Sequence, residues 1–180
     1  MRSLAALACV VLTGCGGASP AVLEVRVAGH DATAFPVADG RAVTVAHVLR
    51  AGQPVYVGGH RARVLRVDRR LDVALLAVAG VRGAARRGSA DGGDHATVRV
   101  VRADGAASVR ATVRRTITAH IGGTARPALE LAAEVMPGDS GAPVVDSAGA
   151  VIGVVFAQAS GTQALAYALD ARALGALLGG

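Results

Sequence analysis

The chain has 180 residues, 52% hydrophobic but only 2% aromatic, which suffices for one domain or two small lobes with a core of Val, Leu and Ala. All 19 basic residues are arginines against 13 acids, giving +6, but they are scattered and lack aromatics for base stacking, which argues against a nucleic-acid-binding surface. The two cysteines, Cys9 and Cys15, lie at the start and the five histidines form no HExxH pattern, so no disulfide in the body, no metal site and no cofactor are expected.

The first segment reads as an address. Met1-Arg2 is a short positive start, Leu4 to Leu12 is apolar, and "LTGC" (12–15) follows. Charge, a hydrophobic run too short to span a bilayer, then small residues is the layout of a signal peptide. "LTGC" also resembles the bacterial lipobox, whose cysteine becomes the lipidated first residue. By that resemblance residues 1–14 are a lipoprotein signal peptide, Cys15 is acylated and 15–21 is a tether. The mature protein is then expected outside the cytoplasm, held to the cell membrane by lipid. An ordinary secretory signal would leave Cys15 unmodified, yet still export the protein.

From residue 22 the pattern is short and alternating. Strands are expected at 22–27, 41–48, 54–59 and 61–67, with a more continuously apolar one at 72–80. "RGAARRGSADGGD" (82–94) has no periodicity and reads as a connection between lobes. A second set follows at 96–101, 107–119, 127–132, 142–146, 150–157 and 163–169, separated by turn signals. The tail "DARALGALL" (170–178) suits a short helix with Asp170 as N-cap. Two sets of about six short strands suggest an all-β fold, as two small barrels or a sandwich.

Three motifs carry chemistry. His47 ends a strand in "TVAHVL", Asp72 opens "LDVALLAV", and Ser140 lies in the glycine-flanked turn of "PGDSGAPVV". An imidazole can take a serine proton and return it to a leaving group, and a carboxylate on its other nitrogen fixes the tautomer. Gly138 lets a substrate carbonyl approach the backbone amides of Gly138 and Ser140, the expected oxyanion hole. Each residue alone also suits a plain structural role: a buried histidine, a strand cap, a turn. His30, His60, His95 and His120 sit near glycines or in loops and read as surface residues.

In these motifs the chain resembles the chymotrypsin-like (trypsin-fold) serine peptidases. "TVAHVL", "LDVALLAV" and "PGDSGAPVV" are similar to the segments around that family's histidine, aspartate and nucleophile. "VIGVV" and "ALAYAL" match the strands after the serine. The wording looks most like bacterial HtrA-type peptidase domains, with no stretch left here for a PDZ domain. The resemblance implies two six-stranded β-barrels with a short C-terminal helix: a peptidase domain over 22–178, barrel 1 at about 22–81, linker 82–94 and barrel 2 at about 95–169. It implies a serine endopeptidase acting on peptide or protein substrates through His47, Asp72 and Ser140. A catalytically silent relative that binds peptides or an envelope partner is the alternative.

Three departures carry consequences. Val48 stands where the family has a disulfide-forming cysteine, and Ala142 replaces a glycine after the serine. In trypsin the acid before the nucleophile pairs with a freshly cut N-terminal amine, but no such activation site exists here. Asp139 therefore needs another donor, or solvent. The family also places a specificity residue six before the nucleophile, here Glu134. It would favour Arg or Lys substrates, with Leu165 opposite able to narrow the pocket for small aliphatic ones.

Overall fold

The computed structural model describes residues 19–159 and 164–178, so Cys9, Cys15 and the address segment lie outside the described residues. The first six strands are β1 (Leu23–Val27), β2 (His30–Ala38), β3 (Arg41–Val45), β4 (Val55–Val57), β5 (His60–Asp68) and β6 (Val73–Val78). They close into an antiparallel barrel in the order β1-β2-β3-β6-β5-β4, with β4 pairing back onto β1. Six more form a second closed barrel, in the order β10-β11-β12-β9-β8-β7. These are β7 (His95–Arg102), β8 (Gly105–Ile121), β9 (Thr124–Ala132), β10 (Pro143–Val145), β11 (Val151–Gln158) and β12 (Leu165–Asp170). The sandwich alternative is thereby set aside, and the two-barrel fold stands.

Turn chemistry sets the registers. The β4–β5 and β8–β9 hairpins turn on Gly58-Gly59 (φ 54° and 80°) and Gly122-Gly123 (57° and 76°). Two consecutive positive-φ residues give the twist that two-residue hairpins favour, and glycine takes it without a Cβ penalty.

The sequence reading missed β2. Its stretch Ala32–Pro36 is buried throughout rather than alternating, because one face lines barrel 1 and the other meets the second barrel. Continuous burial with a proline inside hides a strand from a period-2 search. β3 also ends sooner than expected, at Val45. The chain then turns through Ala46-His47-Val48, with Leu49 N–H donating to the Ala46 carbonyl at 3.1 Å.

Apolar packing joins the lobes. The cluster that fills barrel 1, from Val25 and Phe35 to Leu76, continues through Val145, Val154, Phe156 and Leu169 to Leu174 and Leu177. A second cluster, including Val98, Val113, Leu131, Val144 and Ile152, fills barrel 2. Truncating a fully buried leucine such as Leu76 to Ala would cost about 2–5 kcal/mol. The connection 82–94 is ordered along the seam, since Val151 N–H donates to the Arg86 carbonyl at 2.7 Å and Gly88 N–H to the Val151 carbonyl at 2.8 Å.

The tail forms a short 3₁₀ turn (Ala171–Leu174) and the helix α1 (Gly175–Leu178). Asp170 caps it by accepting Arg172 N–H at 2.9 Å, and Arg66 of β5 donates to the Ala176 carbonyl at 2.9 Å. No helix among the described residues is long and apolar enough to cross a membrane.

Candidate active site

Asp72 precedes β6 with φ 61°, a left-handed conformation that aspartate tolerates better than most residues. This kink turns its carboxylate onto the His47 turn. Oδ1 accepts His47 N–H at 2.8 Å, and Oδ2 lies 2.7 Å from His47 Nδ1. Asp72 also holds the turn through its carbonyl, which accepts Ala46 N–H at 3.1 Å. With Nδ1 engaged, the second ring nitrogen of the 45% exposed imidazole is free for chemistry. Arg50 braces the turn by donating to the His47 carbonyl.

Ser140 lies in the second of two turns that share Asp139. Asp139 N–H donates to the Met136 carbonyl at 3.0 Å, with Pro137 second and Gly138 (φ 97°) third, the residue signature of a type II turn. Ala142 N–H then donates to the Asp139 carbonyl at 3.0 Å, with Gly141 at φ 88°. These turns consume the amides of Asp139 and Ala142. Among the described residues, the Gly138 and Ser140 N–H groups have no intramolecular acceptor, and no hydrogen bond joins the Ser140 hydroxyl to the His47 ring.

Barrel 1 docks onto this loop through two buried threonines. Thr33 N–H donates to the Ser140 carbonyl at 2.8 Å, and Thr33 Oγ1 to the Gly138 carbonyl at 3.1 Å. Thr44 Oγ1 donates to the Thr33 carbonyl at 2.8 Å. A Cβ on Gly141 would lie 2.0 Å from the Thr33 carbonyl oxygen, so only glycine fits there. Ala142, by contrast, fits in full burial.

The donor that Asp139 needs is Arg102, at the end of β7. Its Nη2 lies 2.7 Å from Oδ2 and its Nε 3.3 Å from Oδ1, a two-pronged pair on a carboxyl that is 2% exposed. Met136 N–H adds a third bond at 2.9 Å. The hydrogen bond to Asp139 raises the Arg102 pKa above the ordinary arginine value, opposing the effect of burial.

A second arginine approaches the site from β9. Arg126 is 5% exposed, its Nη1 lies 3.4 Å from Asp72 Oδ2, and its guanidinium lies 5.1 Å from the centre of the Phe156 ring. It borders a cavity of about 470 Å³ that also touches His47, Arg69 and Asp72.

Glu134 follows β9 and is exposed, one residue before buried Val135, while half-buried Leu165 on β12 pairs with Ala132 instead. Among the described residues Glu134 has no ion-pair partner. His30, His60, His95 and His120 are all exposed, as expected of surface residues. No group of three or more His, Cys, Asp or Glu among the described residues could hold a metal ion.

Two closed six-stranded barrels with a His–Asp pair on one and a glycine-flanked serine on the other define the chymotrypsin-like architecture. The family model for the trypsin-like peptidase domain matches residues 32–154, and the chain belongs to that family. It is a serine endopeptidase. Among solved structures it is similar to the active form of the Rv3671c protease from M. tuberculosis, at 26% identity over 97% of this chain and 93% of that one, with a TM-score of 0.78. An inactive-form mutant of the same M. tuberculosis protein is 29% identical over 87% of this chain and 84% of that one, with a TM-score of 0.77. The HtrA-type protease AlgW, bound to a tripeptide, shares the fold at 23% identity over 87% of this chain and 58% of that one, with a TM-score of 0.72. No curated protein sequence matches the chain.

Sequence reading did not single out Thr33, Thr44, Arg102 or Arg126. The one available hint was the need for a partner to Asp139, which no local motif could supply.

Proposed function

We propose that His47, Asp72 and Ser140 form a catalytic triad that hydrolyses peptide bonds through an acyl-enzyme. The observation that carries this reading is the pair of contacts between His47 and Asp72, through the His47 backbone N–H and Nδ1, which leaves the outer imidazole nitrogen free. In the first step Ser140 Oγ bonds to the substrate carbonyl carbon while its proton passes to His47 Nε2. The carbonyl oxygen, now negative, is accepted by the Gly138 and Ser140 N–H groups, whose lack of internal acceptors supports that role. As the carbon–nitrogen bond breaks, His47 returns the proton to the departing amine. Water then repeats the sequence on the ester and releases Ser140.

The missing Ser140–His47 hydrogen bond does not oppose this, since such contacts often tighten only around substrate. The substrate strand has a place to pair. β11 leaves β10 after Val154, and among the described residues its Ala157–Gln158 segment, beyond the bulge at Phe156, pairs with β12 alone.

Glu134 is our proposed acid for a substrate Arg or Lys before the scissile bond, and its exposure leaves the carboxylate open to a substrate cation. We further propose export and a lipid anchor at Cys15, supported by the charged start, the apolar run and "LTGC".

The test is cleavage of a peptide library by the full chain, with Ser140→Ala as control and Glu134→Gln for specificity. Cleavage lost in Ser140→Ala supports the triad. Equal cleavage of Arg peptides by wild type and Glu134→Gln removes Glu134 from the pocket. No cleavage of any peptide by wild type favours the silent, peptide-binding reading.

A further inference from the structure

Arg126 belongs to the second barrel, opposite Ala119 on the β8–β9 ladder, yet it directs its charge at the first. Burying a guanidinium is unfavourable unless a counter-charge and hydrogen bonds compensate. Here the compensation is thin. Asp72 Oδ2 stands 3.4 Å from Nη1, the Phe156 ring lies 5.1 Å away, and Nε is buried with no partner. Two positions along β9, Ala128 is fully buried in the apolar cluster that joins the barrels. Packing alone would therefore be served better there by Met or Leu.

A polar group kept in an unfavourable place, with its charge on one member of the site, points to a role through that member. We propose that Arg126 is a positioning residue: across the barrel interface it fixes the Asp72 carboxylate in the orientation that holds His47. This rests on the triad reading above.

The geometry explains how. Asp72 stands at a strand head with φ 61°, beside the turn that carries His47. His47 engages Oδ1 through its backbone and Oδ2 through its ring. Arg126 adds a positive charge 3.4 Å from Oδ2, from the opposite barrel. It also occupies the wall of the 470 Å³ cavity beside that oxygen. Without the guanidinium, water entering that cavity would compete with the imidazole for Oδ2. The contact also makes triad alignment depend on the relative placement of the two barrels.

The test is a double-mutant cycle on peptide hydrolysis by the full chain, using Arg126→Met, Asp72→Asn and the double variant. Arg126→Met is expected to lower kcat by about tenfold or more while KM moves by less than about twofold, because the lost contact is to the triad rather than to the peptide. In the Asp72→Asn background the same change should alter kcat by less than about twofold, since its target is already disabled. Arg126→Lys should recover part of the loss, and it replaces Arg126→Met in the cycle if that variant lacks a cooperative melt.

Unchanged kcat in Arg126→Met, or losses that multiply in the double variant, would overturn the inference while leaving the protease reading intact. Independent losses are what a purely structural role produces. Wild type that neither cleaves peptides nor reacts with a fluorophosphonate at Ser140 would overturn both.

Discussion

Arg102 and Asp139 form a two-pronged ion pair, 2.7 Å at its shorter contact, that anchors the Ser140 loop from within the second barrel. The residue before Ser140 thus gains its cation from the folded chain itself, from Arg102 on β7. Because Asp139 is 2% exposed, its carboxylate could not stay charged there unpaired at little cost. The pair therefore sets the loop that carries the Gly138 and Ser140 amides.

Replacing Arg102 by Met should leave Asp139 stranded. We expect a loss of about 2–3 kcal/mol in unfolding free energy, toward the low end for a broken buried pair because Arg102 is 34% exposed. Peptidase turnover should fall at least about tenfold, since misplaced oxyanion donors weaken the transition state. Urea unfolding with kcat on the same preparation tests this, and wild-type values in both would contradict it.

The pair also predicts an alkaline plateau. A raised folded pKa means that the contribution of Arg102 is fully present below the ordinary arginine value and is lost only as pH rises through the still higher folded one. In wild type, kcat/KM should therefore show no alkaline fall from this loop up to about pH 10, where a lysine of ordinary pKa about 10.4 would begin to discharge. Arg102→Lys should introduce a decline that sets in only above the ordinary lysine value of about 10.4, yet at lower pH than any decline in wild type. Identical alkaline limbs for the two proteins would count against the role given to the pair.

Gly141→Ala should be among the most damaging single changes. The new methyl would sit 2.0 Å from the Thr33 carbonyl oxygen and 2.7 Å from Thr44 Oγ1, at a residue with φ 88°. Backbone of barrel 1 would have to move, and the strain should exceed about 2–3 kcal/mol. The expected outcome is a lower melting temperature with loss of most activity. A fully active, equally stable variant would show that the Thr33–Ser140 contact is not maintained in solution.

The local settings of His47, Asp72 and Ser140 can be read from the sequence because each sits in a short motif whose neighbours shape it. The strand-head aspartate, the turn after β3 and the glycines around Ser140 can each be read within a few residues. Arg102 and Thr33 could not be found this way, because their partners lie 37 and 105 positions away. Arg126 was hidden further by type, since a lone arginine in "GTARPALEL" reads as solvated surface until the β8–β9 ladder turns it inward. β2 escaped for a related reason. Its two faces are buried by different barrels, so the alternation that marks a half-exposed strand is absent.

The proposed anchor yields a separate expectation at Cys15. Cys15→Ser should shift the protein from the membrane fraction to the soluble one, or block its processing, without altering kcat on a small peptide. Mass spectrometry of the wild-type N-terminus should find an acylated Cys15. An unmodified N-terminus at another residue would contradict the anchor.

The central claim is that Ser140 is a nucleophile activated by His47. Its most direct test is the rate at which a fluorophosphonate labels the full chain, with the adduct located by mass spectrometry. We expect one adduct, on Ser140, absent in Ser140→Ala and slowed by orders of magnitude in His47→Ala. A wild-type protein that takes no label, or labels equally fast without His47, would contradict it.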